Sequence, residues 1–283
     1  MKNTTWNKIK AAGTTGLIAL TMMSAGCSIK EDKDVKFEKK NFDTNEAFSS
    51  IKIDEIEGDI RFGKSSDSET HITYYDCEYF EHEIDVSNNE LKIITNQKSK
   101  VKNIIGHMIS FTSKNIETEI LLPEDEYEKL NLSLTTGDVK IDNDFTFDEG
   151  SFEMTTGDLN CHAVFNDSLK VDCTTGNINI GSNKSTDLDD ISVKAVSGNI
   201  KVNDFNAKKI SMKATTGDIQ FSELTADDID VRVTTGKIDG KISDEYDIDA
   251  SCTTGSCKTD STAAADRTIN AHCVTGSISI KAD

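Results

Sequence analysis

The 283-residue chain has one proline, one tryptophan, three arginines (Arg61, Arg232 and Arg267) and only 6% aromatic residues. A single proline excludes collagen-like and proline-rich disordered classes. Basic residues number 31 against 50 acidic ones, a net charge of −19. Phosphate binding needs a basic footprint, so with this charge balance nucleic acid is not an expected partner. Ala11 to Met23 carries no charge, and its apolar run is too short for a membrane span. The five histidines, His71, His82, His107, His162 and His272, are scattered and form neither His-x-x-x-His nor His-Glu-x-x-His. They are read as surface side chains. No Cys-x-x-Cys occurs either. No catalytic residue, metal ligand or cofactor site is assigned, and the chain is not read as an enzyme.

What is present begins with an address. Lys2, Lys8 and Lys10 precede the apolar centre Leu17-Ile18-Ala19-Leu20, and Ser24-Ala25-Gly26 leads into Cys27. This is the layout of a secretory signal. Ala25-Gly26-Cys27 resembles the end of a bacterial lipoprotein signal, with Ser24 in place of the usual leucine. That resemblance implies cleavage before Cys27 and lipidation of its thiol, with a plain cleaved signal as the alternative. Loss of residues 1–26 removes three lysines and no acid, taking the charge from −19 to −22. Residues 27–48 are rich in Lys, Glu and Asp and are read as a charged tether.

Beyond this lies a repeat. Thr-Thr-Gly or a close variant recurs with glycine at Gly137, Gly157, Gly176, Gly198, Gly217, Gly236, Gly255 and Gly276, at intervals of 19 to 22 residues. Each copy reads apolar-x-apolar-x-apolar, the triplet, one polar residue, then apolar-x-apolar, as in Ile210 to Phe221. Alternation of this kind marks half-buried strands, and the glycine supplies positive φ between them. A hairpin does not explain the near-constant period, whereas stacked coils do, because one coil cannot bury its apolar face alone. The expected fold is all-β: a parallel β-solenoid of about eight coils over residues 130–283, spanning roughly 38 Å at ~4.8 Å per coil. A hairpin-based sandwich or meander is the alternative.

Residues 49–129 carry the pattern once, at Ile51, Ile53, Ile56, Gly58, Ile60 and Phe62, followed by longer strands at Thr70 to Tyr79 and Glu90 to Ile94 and by Ile116 to Leu122 running into Pro123, and are read as an N-terminal β cap. The strand Ile278 to Lys281 is expected to be the outermost one, with an open edge that invites end-to-end self-association. Six cysteines follow Cys27. Packing as small hydrophobes is favoured, and Cys252 with Cys273, expected on adjacent coils, is the alternative disulfide. The residue after each turn glycine is often Asp or Asn. Turn chemistry is the favoured role, weak calcium binding the lesser one.

Ile56-Glu57-Gly58-Asp59-Ile60, the Leu121-Leu122-Pro123 passage and the serial Thr-Thr-Gly-Asp turns together resemble the bacterial putative-adhesin family of β-strand-repeat proteins, over about residues 48–282. The resemblance implies a β-solenoid at the cell surface and brings no catalytic residues. The expected function is a lipid-anchored, extracytoplasmic protein with a non-catalytic adhesion, binding or scaffolding role toward an envelope polymer or surface protein. An envelope-stress accessory partnering another envelope protein is the alternative. A polysaccharide-active β-helix enzyme is a lesser one, since no carboxylate pair with a partner is visible.

Overall fold

The computed structural model describes residues 35–98, 116–124, 126–142, 145–182, 187–243, 245–260 and 266–282. Cys27 and the signal segment lie outside the described residues, as does His107. The described chain is all-β, with eighteen strands in one sheet.

The repeats build two walls joined by the glycine turns. Residues before each triplet form the first wall: β2 (Ser50–Glu57), β8 (Glu126–Thr136), β10 (Thr146–Thr156), β12 (Val164–Thr175) and β14 (Asp187–Ser197). Residues after it form the second: β3 (Asp59–Lys64), β9 (Val139–Ile141), β11 (Leu159–Cys161) and β13 (Ile178–Gly181). The longer strands β15 (Ile200–Thr216), β16 (Ile219–Ile242), β17 (Asp247–Thr259) and β18 (Thr268–Ala282) carry segments of both. Equivalent residues pair in parallel from level to level. One inward column runs Leu132, Phe152, Val171, Val193, Met212, Val231, Ala271. Each member is almost fully buried between its neighbours above and below. Burying one such large apolar side chain contributes about 1.5–3 kcal/mol, so the stack rather than any single coil supplies the core. A run of rings, Phe48, Tyr127, Phe147 and Phe165, stacks through the first levels with centroids 5.7–5.9 Å apart.

The turns explain the constant triplet. All nine turn glycines, Gly58 included, hold φ between +124° and +147°, which L side chains rarely adopt. Close approach reinforces this: a Cβ on Gly217 would overlap the carbonyl oxygen of Gly198 one level away. The residue after glycine links levels through its side chain. The Asp138 N–H donates to Asp59 Oδ1 (2.9 Å), that of Asp158 to Asp138 Oδ1 (2.8 Å) and that of Asn177 to Asp158 Oδ1 (2.7 Å). The same link continues through Asn199 and Asp218 to Lys237. Lysine receives the link and offers no acceptor for the next.

The sheet is mixed rather than parallel throughout. Next to β2 and β3 lie β6 (Glu90–Gln97) and β7 (Glu117–Leu122), both parallel to them. β5 (Phe80–Ser87) then pairs antiparallel with β6, and β4 (Thr70–Asp76) antiparallel with β7. The cause at β5–β6 is local. Asn88 and Asn89 both take positive φ (54° and 62°) in a two-residue hairpin turn.

The segment read as tether is also shorter than expected, because β1 (Glu38–Thr44) pairs antiparallel with β4. Phe42 packs on the core and Lys40 reaches Asp76, which draws this charged stretch into the sheet.

At the other end the expected order is corrected. β18 lies between β16 and β17, so its edges are covered and β17 is outermost among the described strands. The inward residues explain the choice. β18 presents Ile269, Ala271, Cys273, Ile278 and Ile280, all buried, whereas Ile248, Ala250 and Cys252 of β17 are only partly buried. The more apolar layer takes the position covered on both sides.

The disulfide expectation is corrected as well. Cys252 stands beside Cys273 in register but is bonded to Cys257 across its own turn, with Cα atoms 6.3 Å apart. Cys252 and Cys257 end the first-wall and begin the second-wall segments of the outermost layer, so the bond ties the two walls together there. Cys273 stays free, its thiol donating to the Gly236 carbonyl (3.5 Å).

Gly217→Ala should destabilise the protein by about 3 kcal/mol or more, through positive φ and overlap with the neighbouring carbonyl. Gly181→Ala should be nearly neutral, because a Cβ there meets only ordinary contacts, the nearest at 3.5 Å. Urea melts of the two variants check this; equal midpoints would contradict it.

Candidate functional site

Alternation along the first wall creates a groove. In each copy the third residue before glycine points inward, and the residues on either side point out. The inward ones, Leu134, Met154, Cys173, Ala195, Ala214 and Val233, form a floor that is at most 4% exposed. One side is the column Ser133, Glu153, Asp172, Lys194, Lys213, Arg232 and His272, in register from level to level. The other side is Thr135, Thr155, Thr174, Val196, Thr215, Thr234 and Val274. The groove encloses about 650 Å³ and crosses seven levels, roughly 29 Å at ~4.8 Å per step. Val196 (53%) and Val274 (37%) are the exposed large hydrophobics among the described residues, and both line it. The two departures from Thr-Thr-Gly therefore place apolar spots along a hydroxyl wall.

The residues weighed for chemistry resolve as follows. Burial pushes the Cys161 thiol up to about 12 and raises that of Cys173, so neither supplies a thiolate nucleophile at neutral pH. The Asp and Asn side chains after the turn glycines accept backbone N–H groups of the next level, which is turn chemistry. Among the described residues no group of three or more His, Cys, Asp or Glu side chains could hold a metal ion. His272 is exposed in the groove, 3.0 Å from Ser251 Oγ. His71 lies near the surface between Asp43 (2.6 Å) and Asp67 (3.0 Å).

His82 is not a surface residue. Its side chain is 5% exposed, with Nε2 3.0 Å from Glu55 Oε1 and Nδ1 2.8 Å from Asp76 Oδ1. Glu55 also accepts from Thr95 and from Thr118 (3.3 Å), and Asp76 accepts from Lys40 (2.7 Å). This cluster joins β1, β2, β4, β5, β6 and β7. Two sequence signals pointed to it. Glu55 pairs with Leu134, in a column that is apolar or small in every later copy. Phe80, His82, Ile84 and Val86 alternate with Glu81, Glu83 and Asp85, which sets His82 on the inward face. Ile56, assigned above to the inward series, is only half-buried beside it.

Two stacked walls, a glycine column under neighbouring carbonyls and a capping sheet with a buried ion cluster agree with the match of one family model to residues 48–282. The chain belongs to the Toastrack DUF4097 family. No curated protein matches it. Among solved structures, this Toastrack chain is similar to a "putative adhesin" from Bacteroides fragilis at 19% identity, covering 87% of this chain and 97% of that one, with a TM-score of 0.42. It is similar to a "putative cell adhesion protein" from Clostridium sporogenes at 14% identity, covering 88% and 100%, with a TM-score of 0.31. A "putative lipid binding protein" from Parabacteroides distasonis shares 13% identity, covering 87% and 96%, with a TM-score of 0.41.

In the Toastrack chain the ion cluster makes stability depend on pH. Burial alone would lower the His82 pKa, but Glu55 and then Asp76 outweigh it and raise the pKa above the usual 6.5. A raised folded-state pKa gives stability that is present below 6.5 and lost as pH rises through the folded value. Burial also pushes Glu57 up to about 7 from 4.5, so its contribution is lost between those values. Asp76 acts at the other extreme. Burial raises its pKa, yet Lys40 and His82 hold it below 3.8, so its contribution is lost only as pH falls through that lower value. The melting temperature should therefore fall as pH rises from 5 to 8. Glu57→Gln should flatten the lower part of that slope and His82→Gln the upper part. A melting temperature that rises over this range would contradict the assignment.

Proposed function

We propose that this Toastrack protein is a lipid-anchored protein of the extracytoplasmic cell surface with a non-catalytic binding role, and that its binding face is the groove along the first wall. The observation that carries the reading is the repetition of the threonine and valine wall over seven levels, which offers an extended partner similar contacts again and again. Many weak contacts in register give avidity that no single level has. A compact small molecule would use only one or two levels. The Ala25-Gly26-Cys27 signal supports the anchor.

Cys27→Ser should move the protein from the membrane fraction to the soluble fraction of the producing cell; retention in the membrane would remove the anchor from the reading. Binding is checked with the full chain in detergent micelles and fragments of the same cell's envelope. Thr215 is exposed on the groove wall, so Thr215→Trp should block the groove without disturbing the core. Saturable binding weakened about tenfold or more by this change, some 1.4 kcal/mol, is the expected result. Binding indifferent to Thr215→Trp would place the contact face elsewhere.

A further inference from the structure

The charged side of the groove is not uniform. Glu153 and Asp172 occupy the first levels, and then Lys194, Lys213 and Arg232 follow on three successive levels, with His272 next. Like charges directly opposite each other on neighbouring strands are destabilising. Ser133 and Ser251 show that a neutral residue fits the same column. The chain nevertheless stacks three cations there, although it is strongly acidic and has only three arginines in all. Two carboxylates partly offset them. Asp172 lies 3.7 Å from Lys194, and Asp230 lies 3.7 Å from Lys213 and 2.9 Å from Arg232 Nε. The three cationic side chains remain 43–60% exposed, with donors available to a ligand.

Given the groove as the binding face, we infer that its ligand is a linear anionic polysaccharide, whose acidic groups lie along Lys194, Lys213 and Arg232 while its rings lie on the threonine and valine wall. The level spacing of ~4.8 Å is close to the advance of one ring in an extended glycan, so successive rings stay in step with successive levels. An extended peptide advances only about 3.3 Å per residue and falls out of step. It also pairs best with a free sheet edge, and the groove walls are side chains. Thr174, Thr215 and Thr234 supply hydroxyls for sugar hydroxyls, and Val196 and Val274 meet the apolar ring faces.

The test uses the full chain in detergent micelles, with polygalacturonate as the anionic probe, pullulan as the neutral one and polyglutamate as the acidic peptide. The variant Lys194→Ser/Lys213→Ser/Arg232→Ser puts into the column a residue it already holds at two levels. Lys201→Ser/Lys208→Ser/Lys209→Ser changes the net charge equally outside the groove. Calorimetry should show polygalacturonate bound at least about tenfold more tightly than pullulan or polyglutamate, with the advantage lost in the groove variant and kept in the control. Raising the salt should weaken it. Arg232→Glu alone, at an exposed position, should act in the same direction if the triple variant melts early. Polygalacturonate bound no better than pullulan, equal effects of the two triple variants, or polyglutamate bound as tightly would each overturn the inference. In those cases, pullulan binding that Thr215→Trp still blocks would leave the groove as the binding face. Binding of every probe unaffected by Thr215→Trp would take the groove reading down as well.

Discussion

Everything in this protein hangs on the approach of one glycine to the next. At each turn the backbone takes a left-handed conformation, and at every turn but that of Gly58 it also lies against the carbonyl of the turn one level away. Both demands exclude a side chain. Once nine such turns are aligned, the walls have no freedom of register, because every residue's position is counted from its glycine. The Asp and Asn side chains after the turn add a second link between levels, and the inward columns follow from alternation.

The same counting makes the surface periodic. A residue one step to either side of an inward position must point outward at every level. Function can therefore be written into columns without disturbing the core, and a change of residue type along a column changes the surface in only one place. The cations at Lys194, Lys213 and Arg232 and the valines at Val196 and Val274 are changes of this kind. The capping region is built differently. There the apolar column is broken at Glu55, and the vacancy in its pattern is met by His82 from an antiparallel strand, tying six strands to one network.

Much of the fold was legible because the repeat prints its own register. The triplet, the inward columns and the turn residues could all be read at fixed offsets. β5 was missed although Phe80, His82, Ile84 and Val86 alternate, because the two-residue turn at Asn88-Asn89 lacks the glycine that usually marks one. The groove was legible only in retrospect: Lys194, Lys213 and Arg232 recur at the repeat interval, yet outward charges in a soluble repeat ordinarily do no more than keep it in solution. The placement of β18 between β16 and β17 was not legible. Both candidate layers carry the same pattern, and their order depends on which buries more apolar surface, a comparison no local motif records. The Cys252–Cys257 bond was hidden for a related reason: the register that sets Cys252 beside Cys273 also sets it across the turn from Cys257.

That placement of β18 separates the order of synthesis from the order of the stack. From β8 to β16 each new level is laid on the one made just before it, so the solenoid can grow as the chain emerges. β17 then arrives before the layer it rests on exists. It must wait, with Ile248 and Ala250 unburied, until β18 is in place. The outermost layer can therefore close only after the final strand of the chain has docked on β16, and Cys252 and Cys257 lie in that late-closing layer.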